Sequence, residues 1–522
     1  MAQNDSIFSA LEVACRRNPS GIALSNEHKA LPFTALLSQT AAIADVFRKS
    51  AAPLIVYIAL PSGPDFTALQ FGLMAAGSIA VPIPNKLTPY EASTYFGTLP
   101  PDVVCLPSVS EGKAIVDSLP DEAGLVFSNG APAQWTHMKH PCVHLDDITA
   151  CKAIPIATTA SSRILPRETR MVQFTSGTTG LPKAILLTEA NIMGNQSANA
   201  DHLHPFAGRH FLCPIPQYHA MGNAVVFEHL LSGSPIHLAN SFLHGEHLNR
   251  MTTYRCAGML ASPNYFRMLL KAKRFDPGSL PHLTFLTIGT DWIDRGLLLD
   301  LRNRFPGVTL YCRYGLSEAV GPVAYHTIAP GQTLSAEGAL GNLMPGIEMK
   351  KIPRSPDAAG SSAPLRIKSV SAAKWQLAPD TGITSLTDGE GFLNTGDLVR
   401  RGPDGQLTIV GRETQFIKVN GFRVNPYEIE ELLRQVSGIR DAVVVGVPDP
   451  SSGQRLVACL DPEANCPSAK DIMAFCLAHL SPYKVPTRFL TDLSIPKTGT
   501  GKPARHRLAR IIETCLTDNP RV

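Results

Sequence analysis

The sequence predicts an α/β fold, with a large N-terminal domain of α/β subdomains and mostly parallel sheets and a small C-terminal α+β domain. Three observations predict it. First, residues 53–60, PLIVYIAL, form an apolar run of buried-strand length. They are followed by PSGPDFTALQFGLMAAG, with a proline-rich start, helical spacing at Phe66, Leu69 and Leu73, and a glycine stop, and then by a second apolar run, SIAVPIP. Strand, helix and strand of these lengths make a βαβ unit and a parallel sheet. Second, VVCLPS at 103–108 and HLTFLTIGT at 282–290 read as further buried strands. Third, the pattern changes near residue 411. RGPDGQLTIV is a turn and a short strand, and FIKVNGFRV alternates around Gly421 like a hairpin. Asn425-Pro426 then opens a helix with Glu428, Glu430 and Glu431 in its early turns and Ile429, Leu432, Leu433 and Val436 on one face. DAVVVGVP at 441–448 is another buried strand. The expected domains are 1–411 and 412–522, with a mobile small domain and a hinge near 411–415.

The bulk composition narrows the function. At 522 residues the chain is too long for one ordinary core. Apolar residues make up 44% and charged residues 17%, which fits a globular protein and argues against disorder. A net charge of +4 without a lysine or arginine run gives no nucleic-acid groove. The first residues lack a basic segment followed by an apolar core, so no secretory signal is expected, and DNPRV is not a peroxisomal address. The longest mostly apolar stretch, LQFGLMAAGSIAVPIP, ends in prolines and predicts no membrane span. Eleven scattered cysteines, with no C-x-x-C pair, favour reduced thiols in a cytoplasm over a disulfide framework or a zinc site.

One stretch stands apart. FTSGTTGLPKAILL, residues 174–187, gathers Thr175, Ser176, Thr178 and Thr179 around Gly177 and Gly180, and Lys183 follows a proline. Met171–Phe174 reads as the end of a strand. Glycines let backbone N–H groups approach an anion, hydroxyls add donors, and the lysine adds charge. That is a means of holding nucleotide phosphates, although an exposed flexible loop would share the composition. The common P-loop is excluded, because Gly180-Leu181-Pro182-Lys183 lacks its adjacent Gly-Lys-Ser/Thr.

The stretch resembles the phosphate loop of the adenylate-forming superfamily, which includes acyl-CoA synthetases, firefly luciferase and the adenylation domains of peptide synthetases. Further motifs follow in that family's order: PQYHAMG at 216–222, YGLSE at 314–318, TGDL at 395–398, GRETQFIKVNGFRVNPYEIE at 411–430 and IPKTGTGKPARHRL at 495–508. The resemblance spans nearly the whole chain. It implies an ATP- and Mg²⁺-dependent enzyme that joins a carboxylic acid to AMP, releases pyrophosphate and passes the acyl group to a thiol. Thr175, Ser176, Gly177, Thr178, Thr179, Gly180 and Lys183 would grip the β- and γ-phosphates. Glu318, with Thr178, would hold Mg²⁺. Tyr314 and Gly315 would lie against adenine beside Gly289 and Thr290, and Ser317 would donate to the α-phosphate. Asp397 would accept the ribose hydroxyls, assisted by Arg412. His219 would gate an acid pocket shaped by Gly222 and Gly321. Lys502 would steady the negative charge of adenylation. Lys418, Gly421 and Phe422 would enter for the second half-reaction, Gly421 leaving room for the acceptor's narrow arm.

Several positions depart from the family's pattern. Gln415 stands at the hinge where Asp or Lys is usual, Ala184 replaces a glycine, and Ser317 replaces a threonine. TIGTDWI at 287–293 is nearer the Gly-Asp-Trp form of some amino-acid activators. Those activators carry an Asp for the substrate ammonium. PQYHAMGNAVVFEHL has none, and Glu228 lies too far along to stand in for it. The expected substrate is therefore an aryl or aliphatic acid without a free α-amine. No carrier motif follows Leu508, so the acceptor is expected to be a separate molecule: CoA, or alternatively a holo carrier protein. A non-catalytic binder is disfavoured by the set Lys183, Glu318, Asp397, Arg412 and Lys502.

Overall fold

The computed structural model describes residues 6–120, 123–129, 140–150, 165–176, 182–203, 208–240, 244–291, 293–334, 339–352, 362–402, 405–412, 417–419, 422–449, 453–480, 482–497 and 503–518. The chain divides into two compact units, one of residues 1–335, 340–351 and 366–395, the other of 336–339, 352–365 and 396–522. The 396–412 ribbon is thus counted with the small unit. Of the expected hinge segment, 413–415 lie outside the described residues.

Among the described residues the large unit holds two nine-stranded sheets. In the first, strands Thr169–Ser176, Ile79–Pro82, Ile55–Ile58, Val103–Leu106, Gly124–Phe127 and Cys142–His144 lie side by side and parallel. Pro182–Thr188, Trp375–Ala378 and Gly382–Ser385 extend it antiparallel. In the second, the parallel run is Thr309–Leu316, Phe285–Ile288, Gly258–Ala261, Phe211–Cys213, Ile236–Leu238 and Ile22–Ser25. Most of these strands are short, largely apolar and buried along their whole length, as sheets covered on both faces require.

The predicted βαβ unit is present as Ile55–Ile58, helix Pro64–Ala75 and Ile79–Pro82. Proline at the first helical turn suits a position whose N–H needs no partner. Pro64 and Phe66 through Met74 are all buried. A helix buried on nearly every face belongs inside a core. A second helix, Ala220–Ser232, is buried from Gly222 to Leu230. The two meet through Phe71 and Phe227, whose rings stack at 5.3 Å. One continuous core joins them to Val56 and Ile58 of the first sheet and to Phe211, Cys213 and Ile236 of the second.

The small unit is built on the antiparallel strands Ile439–Asp449 and Gly453–Pro462. Ile417–Val419 and Phe422–Val424 form the predicted hairpin, with Val419 opposite Phe422. Helix Pro426–Arg434 starts where the sequence places it, because the Asn425 side chain accepts the Tyr427 N–H at 3.1 Å. Its Ile429 and Leu433 join Val424, Val444 and Leu456 in the unit's core.

Gly72 allows helix Pro64–Ala75 to approach helix Phe33–Phe47: a Cβ there would stand 2.5 Å from the Ile43 methyl and 3.0 Å from the Thr40 carbonyl. Gly72→Ala should therefore destabilise the protein by about 1–3 kcal/mol, despite alanine's better helix propensity. Chemical denaturation of the two proteins checks this; a more stable variant would show that the helices can separate without cost.

Candidate active site

The phosphate-loop stretch sits on paired strands. Thr169–Ser176 and Pro182–Thr188 are antiparallel, with Thr175 opposite Lys183 and Ser176 opposite Pro182. Lys183 is therefore a strand residue at the loop's base. Gly177, Thr178, Thr179 and Gly180 lie outside the described residues.

The 216–222 turn is fixed by buried amides. The Gln217 N–H donates to Ser62 Oγ at 2.8 Å, and its side-chain amide donates to Thr67 Oγ1 at 3.0 Å and Gln70 Oε1 at 3.2 Å. All three partners belong to the 62–70 segment. Gln173, on the strand leading into the phosphate loop, donates to the Tyr218 carbonyl at 2.9 Å. His219 then caps helix Ala220–Ser232, its carbonyl accepting the Asn223 N–H at 2.8 Å. Gly222 is needed for packing, since a Cβ would strike the carbonyls of Ile215 and Pro216.

The ends of two neighbouring parallel strands complete the arrangement. Phe285–Ile288 runs into Gly289 and Thr290. A Cβ at Gly289 would lie 3.2 Å from the Arg313 carbonyl and 3.5 Å from Met221 Cε, so this strand end meets the start of the His219 helix. Thr290 has φ +76°, a left-handed conformation costly for a β-branched residue. Its hydroxyl is buried without a hydrogen-bond partner. Strain and an unmet donor together are typical of a ligand-binding position.

Thr309–Leu316 carries Tyr314 and Gly315 and turns through Ser317–Ala319 into Gly321–Ile328. Val320, at φ +66°, makes the turn possible. Asn195 Nδ2 holds it by donating to the carbonyls of Ala319 and Pro322 at 3.1 and 3.0 Å, and the Ala373 N–H donates to the Glu318 carbonyl at 2.7 Å. Gly315 lies so close to Gly321 that a Cβ would stand 2.5 Å from the Gly321 carbonyl oxygen. A Cβ on Gly321 in turn would meet Ala224 Cβ at 2.9 Å, Asn195 Oδ1 at 3.3 Å and an Arg313 nitrogen at 3.4 Å.

Sequence reasoning passed over the tie residues Gln173, Gln217 and Asn195, and it left Glu228 without a role. Glu228 and Arg313 form a two-pronged ion pair, one prong at 2.9 Å, with both side chains at most 2% exposed. Burial pushes the Glu228 carboxyl up, against the pull of Arg313. Burial pulls Arg313 down, but Glu228, Tyr325 and Cys213 together hold it above its ordinary value. Neighbouring His229 is lowered to about 3, first by burial and then by the Arg313 charge.

In the small unit, Asp397 and Arg412 face each other across paired strands, and Arg412 Nε donates to Asp397 Oδ1 at 2.8 Å. Asp397 is 4% exposed. Lys418 and Phe422 lie on opposite strands of the 417–424 hairpin. Gly421 and Lys502 fall outside the described residues. Lys497 and Pro503, which flank the Lys502 stretch, pair as an isolated antiparallel bridge.

A family model described as AMP-binding enzyme matches residues 11–359, and one described as AMP-binding enzyme C-terminal domain matches residues 428–502. The chain belongs to the AMP-binding enzyme family. Among relatives, the 4-coumarate–CoA ligase-like 5 protein of Oryza sativa subsp. japonica is 27% identical over 474 residues, 87% of this chain and 80% of that protein. Sulfoacetate–CoA ligase of Cupriavidus necator is 28% identical over 466 residues, 87% and 86% of the two chains. ATP-bound MatB from Rhodopseudomonas palustris superposes with a TM-score of 0.80 at 19% identity, covering 98% of this chain and 99% of that one. O-succinylbenzoate CoA synthetase from Bacillus subtilis, with ATP and magnesium ion, gives 0.75 at 20% identity over 96% and 98%. The superfamily and the fold expected from the motifs are thus the ones found.

Among the described residues no three His, Cys, Asp or Glu side chains gather to hold a metal. Among the same residues no helix is long and apolar enough to cross a membrane.

His237, like His229, is lowered to about 3, chiefly by burial, from an ordinary 6.5. Both then stay neutral in the folded protein while the unfolded chain takes up protons below about pH 6.5. Their contribution to folding is present above that pH and lost as pH falls. Unfolding free energy should decline below about pH 6.5 by up to about 1.4 kcal/mol per pH unit for each histidine. His237→Gln should flatten that decline in denaturation curves taken from pH 7.5 to 5; an unchanged slope would contradict the assignment.

Proposed function

We propose that this enzyme activates a carboxylic acid as its acyl-adenylate and transfers the acyl group to CoA. The observation that carries the reading is the meeting, in the large unit, of the His219 turn, the strained Gly289–Thr290 strand end and the Tyr314–Glu318 turn. Buried amides tie these to the base of the phosphate loop. Ligands of α/β sheets bind at such carboxyl ends of parallel strands. The names of the relatives as CoA ligases support CoA over a carrier protein as acceptor.

A carboxylate oxygen attacks the α-phosphorus of ATP, and the bond to pyrophosphate breaks. The thiol sulfur then attacks the acyl carbon, AMP departs with the carboxylate oxygen, and the thiol proton passes to solvent. Little covalent work falls to the protein, so catalysis is positioning and charge stabilisation. Lys183 and the loop hydroxyls bind the outer phosphates. Thr290 offers its unmet hydroxyl to the nucleotide or the acid. Glu318 would hold Mg²⁺, which neutralises phosphate charge when bound. Asp397, oriented by Arg412, takes the ribose hydroxyls, and His219 guards the acid. Lys502 stabilises the adenylation transition state, and the Lys418–Phe422 hairpin serves thioester formation after the small unit rotates about the 411–415 hinge.

The acid has no free α-amine. The acidic residue of the pocket helix, Glu228, is already engaged by Arg313 in a buried pair, and an ammonium would have to displace it. Relatives' names run from sulfoacetate to long-chain fatty acids, so size must be read from this chain itself.

Acid-dependent exchange of pyrophosphate into ATP, run without CoA, tests the reading, and CoA against a holo carrier protein then tests the acceptor. Exchange with no acid at all would overturn it. Lys502→Ala should slow adenylation by about 10²–10³-fold and leave thioester formation from supplied acyl-adenylate largely intact. Gly421→Leu should do the reverse by obstructing the acceptor arm. Equal losses in both half-reactions for either variant would contradict the assigned roles.

A further inference from the structure

We infer that Glu430 and Arg505, in the small unit, are positioning residues for the adenylation half-reaction: their ion pair fixes the base of the segment that carries Lys502. The inference rests on the acyl-adenylating reading and deepens it by naming what holds that segment in place.

The pair closes around a sheet edge. Among the described residues Ile439–Asp449 is the end strand of the small unit's sheet, paired along one side with Gly453–Pro462. Val444, midway along it, donates its N–H to Glu430 Oε1 at 2.7 Å and accepts Arg505 Nη1 on its carbonyl at 3.0 Å. Two side chains thus do at this edge what a further strand would do. The Arg505 guanidinium also grips both Glu430 oxygens, one of them at 2.7 Å, and lies over the Tyr427 ring, 4.6 Å from its centroid. Glu430 is fully buried. Arg434, 3.7 Å from Glu430, is itself engaged by Asp441 and the Ala442 carbonyl, so Arg505 is the main counter-charge.

The same contact joins two helices on opposite faces of the sheet. Glu430 belongs to helix Pro426–Arg434, whose Ile429 and Leu433 cluster with Ala442 and Val444. Arg505 opens helix Arg505–Asp518, whose Leu508 and Ile512 cluster with Val443, Val445 and Val447. Alternate residues of a strand point to opposite faces, which separates the two sets. A cation in the first turn of a helix opposes the helix dipole, and no acidic residue of that turn compensates it. The pairing with Glu430 offsets this local cost.

Lys502 stands three residues before Arg505. Lys497 and Pro503 pair as an antiparallel bridge across the base of its segment, and the Ala504 N–H donates to the Pro496 carbonyl at 2.7 Å. Arg505 roots this base in the sheet. Its fork must satisfy two carboxylate oxygens and a carbonyl at once, which leaves little freedom to shift. A displacement of about 1 Å can cost a reaction about a hundredfold in rate. The 417–424 hairpin has attachments of its own: Val419 pairs with Gly453, and Ile417, Val419 and Val424 lie in the core. Loosening Arg505 therefore slows adenylation and spares thioester formation.

The test measures both half-reactions of the full-length enzyme separately, at a temperature where circular dichroism shows each variant folded. One is ATP–pyrophosphate exchange with the best acid of an aryl and straight-chain panel; the other is thioester formation from the supplied acyl-adenylate and CoA. Arg505→Met, which keeps the stem and removes the charge, should lower kcat for exchange by about 10–100-fold and leave KM for ATP and acid within about twofold. Arg505→Lys, which restores the charge without the fork, should recover part of the loss. Glu430→Gln should act in the same direction as Arg505→Met. Thioester formation should stay within about twofold of wild type in all three. Because Arg505 acts through Lys502, adding Arg505→Lys to Lys502→Ala should slow exchange no further than Lys502→Ala alone. Equal losses in both half-reactions, unchanged exchange in Arg505→Met, or full additivity with Lys502→Ala overturns the inference and leaves acyl-adenylation standing. Where Arg505→Met fails to fold, Arg505→Lys takes its place, and exchange unchanged from wild type is then the overturning result. A wild type that exchanges pyrophosphate with no acid of the panel overturns both.

Discussion

The Gln217 amide is buried in the large unit and bonded to Thr67 and Gln70, and the position of the site follows from that attachment. A buried amide left without partners costs about 1–3 kcal/mol, so the turn carrying Tyr218 and His219 has one favourable place to sit. Gln173 fastens the same turn to the strand entering the phosphate loop, and Asn195 fastens the Tyr314–Glu318 turn to the helix after that loop. Three amides therefore link the strand entering the phosphate-loop stretch, the Tyr218–His219 turn and the Tyr314–Glu318 turn, which are far apart in sequence. Rigid positioning of this kind is what a reaction with little covalent chemistry demands of its protein.

The same region holds several of the unit's local costs. Thr290 and Val320 both adopt left-handed backbone conformations, at about 1–2 kcal/mol each, and the Thr290 hydroxyl has no partner. The Glu228–Arg313 pair is a further cost, since an apolar pair of equal volume would be as stable or more so. These departures lie at or just behind adjacent strand ends, beside the buried amides and a core that is mostly aliphatic and aromatic. Concentration of strain and buried charge at one sheet edge marks where function overrides stability.

Local signals carried the readings that held. The 53–84 βαβ unit, the paired strands Ile417–Val419 and Phe422–Val424 and the Asn425-Pro426 helix start are each encoded within a few residues by spacing, turn chemistry and caps. The ordered motifs, not the composition, pointed to the family. What stayed hidden depends on distant partners. Ile22–Ser25 joins a sheet beside Ile236–Leu238, and Arg313 finds Glu228 85 residues away. Neither pairing leaves a local trace. Gly222 and Gly321, read as shaping a pocket, have the space of their missing side chains filled by backbone and neighbouring side chains, a distinction only packing reveals.

The central claim is that a carboxylate oxygen becomes bonded to the α-phosphorus of ATP. The most direct measurement follows that oxygen: the acid giving the fastest exchange is labelled with ¹⁸O in its carboxylate, turned over once with ATP and CoA, and the products are weighed by mass spectrometry. The account predicts one ¹⁸O in AMP and none in pyrophosphate. Label in inorganic phosphate, with ADP as the nucleotide product, would mean attack at the γ-phosphorus and would contradict it.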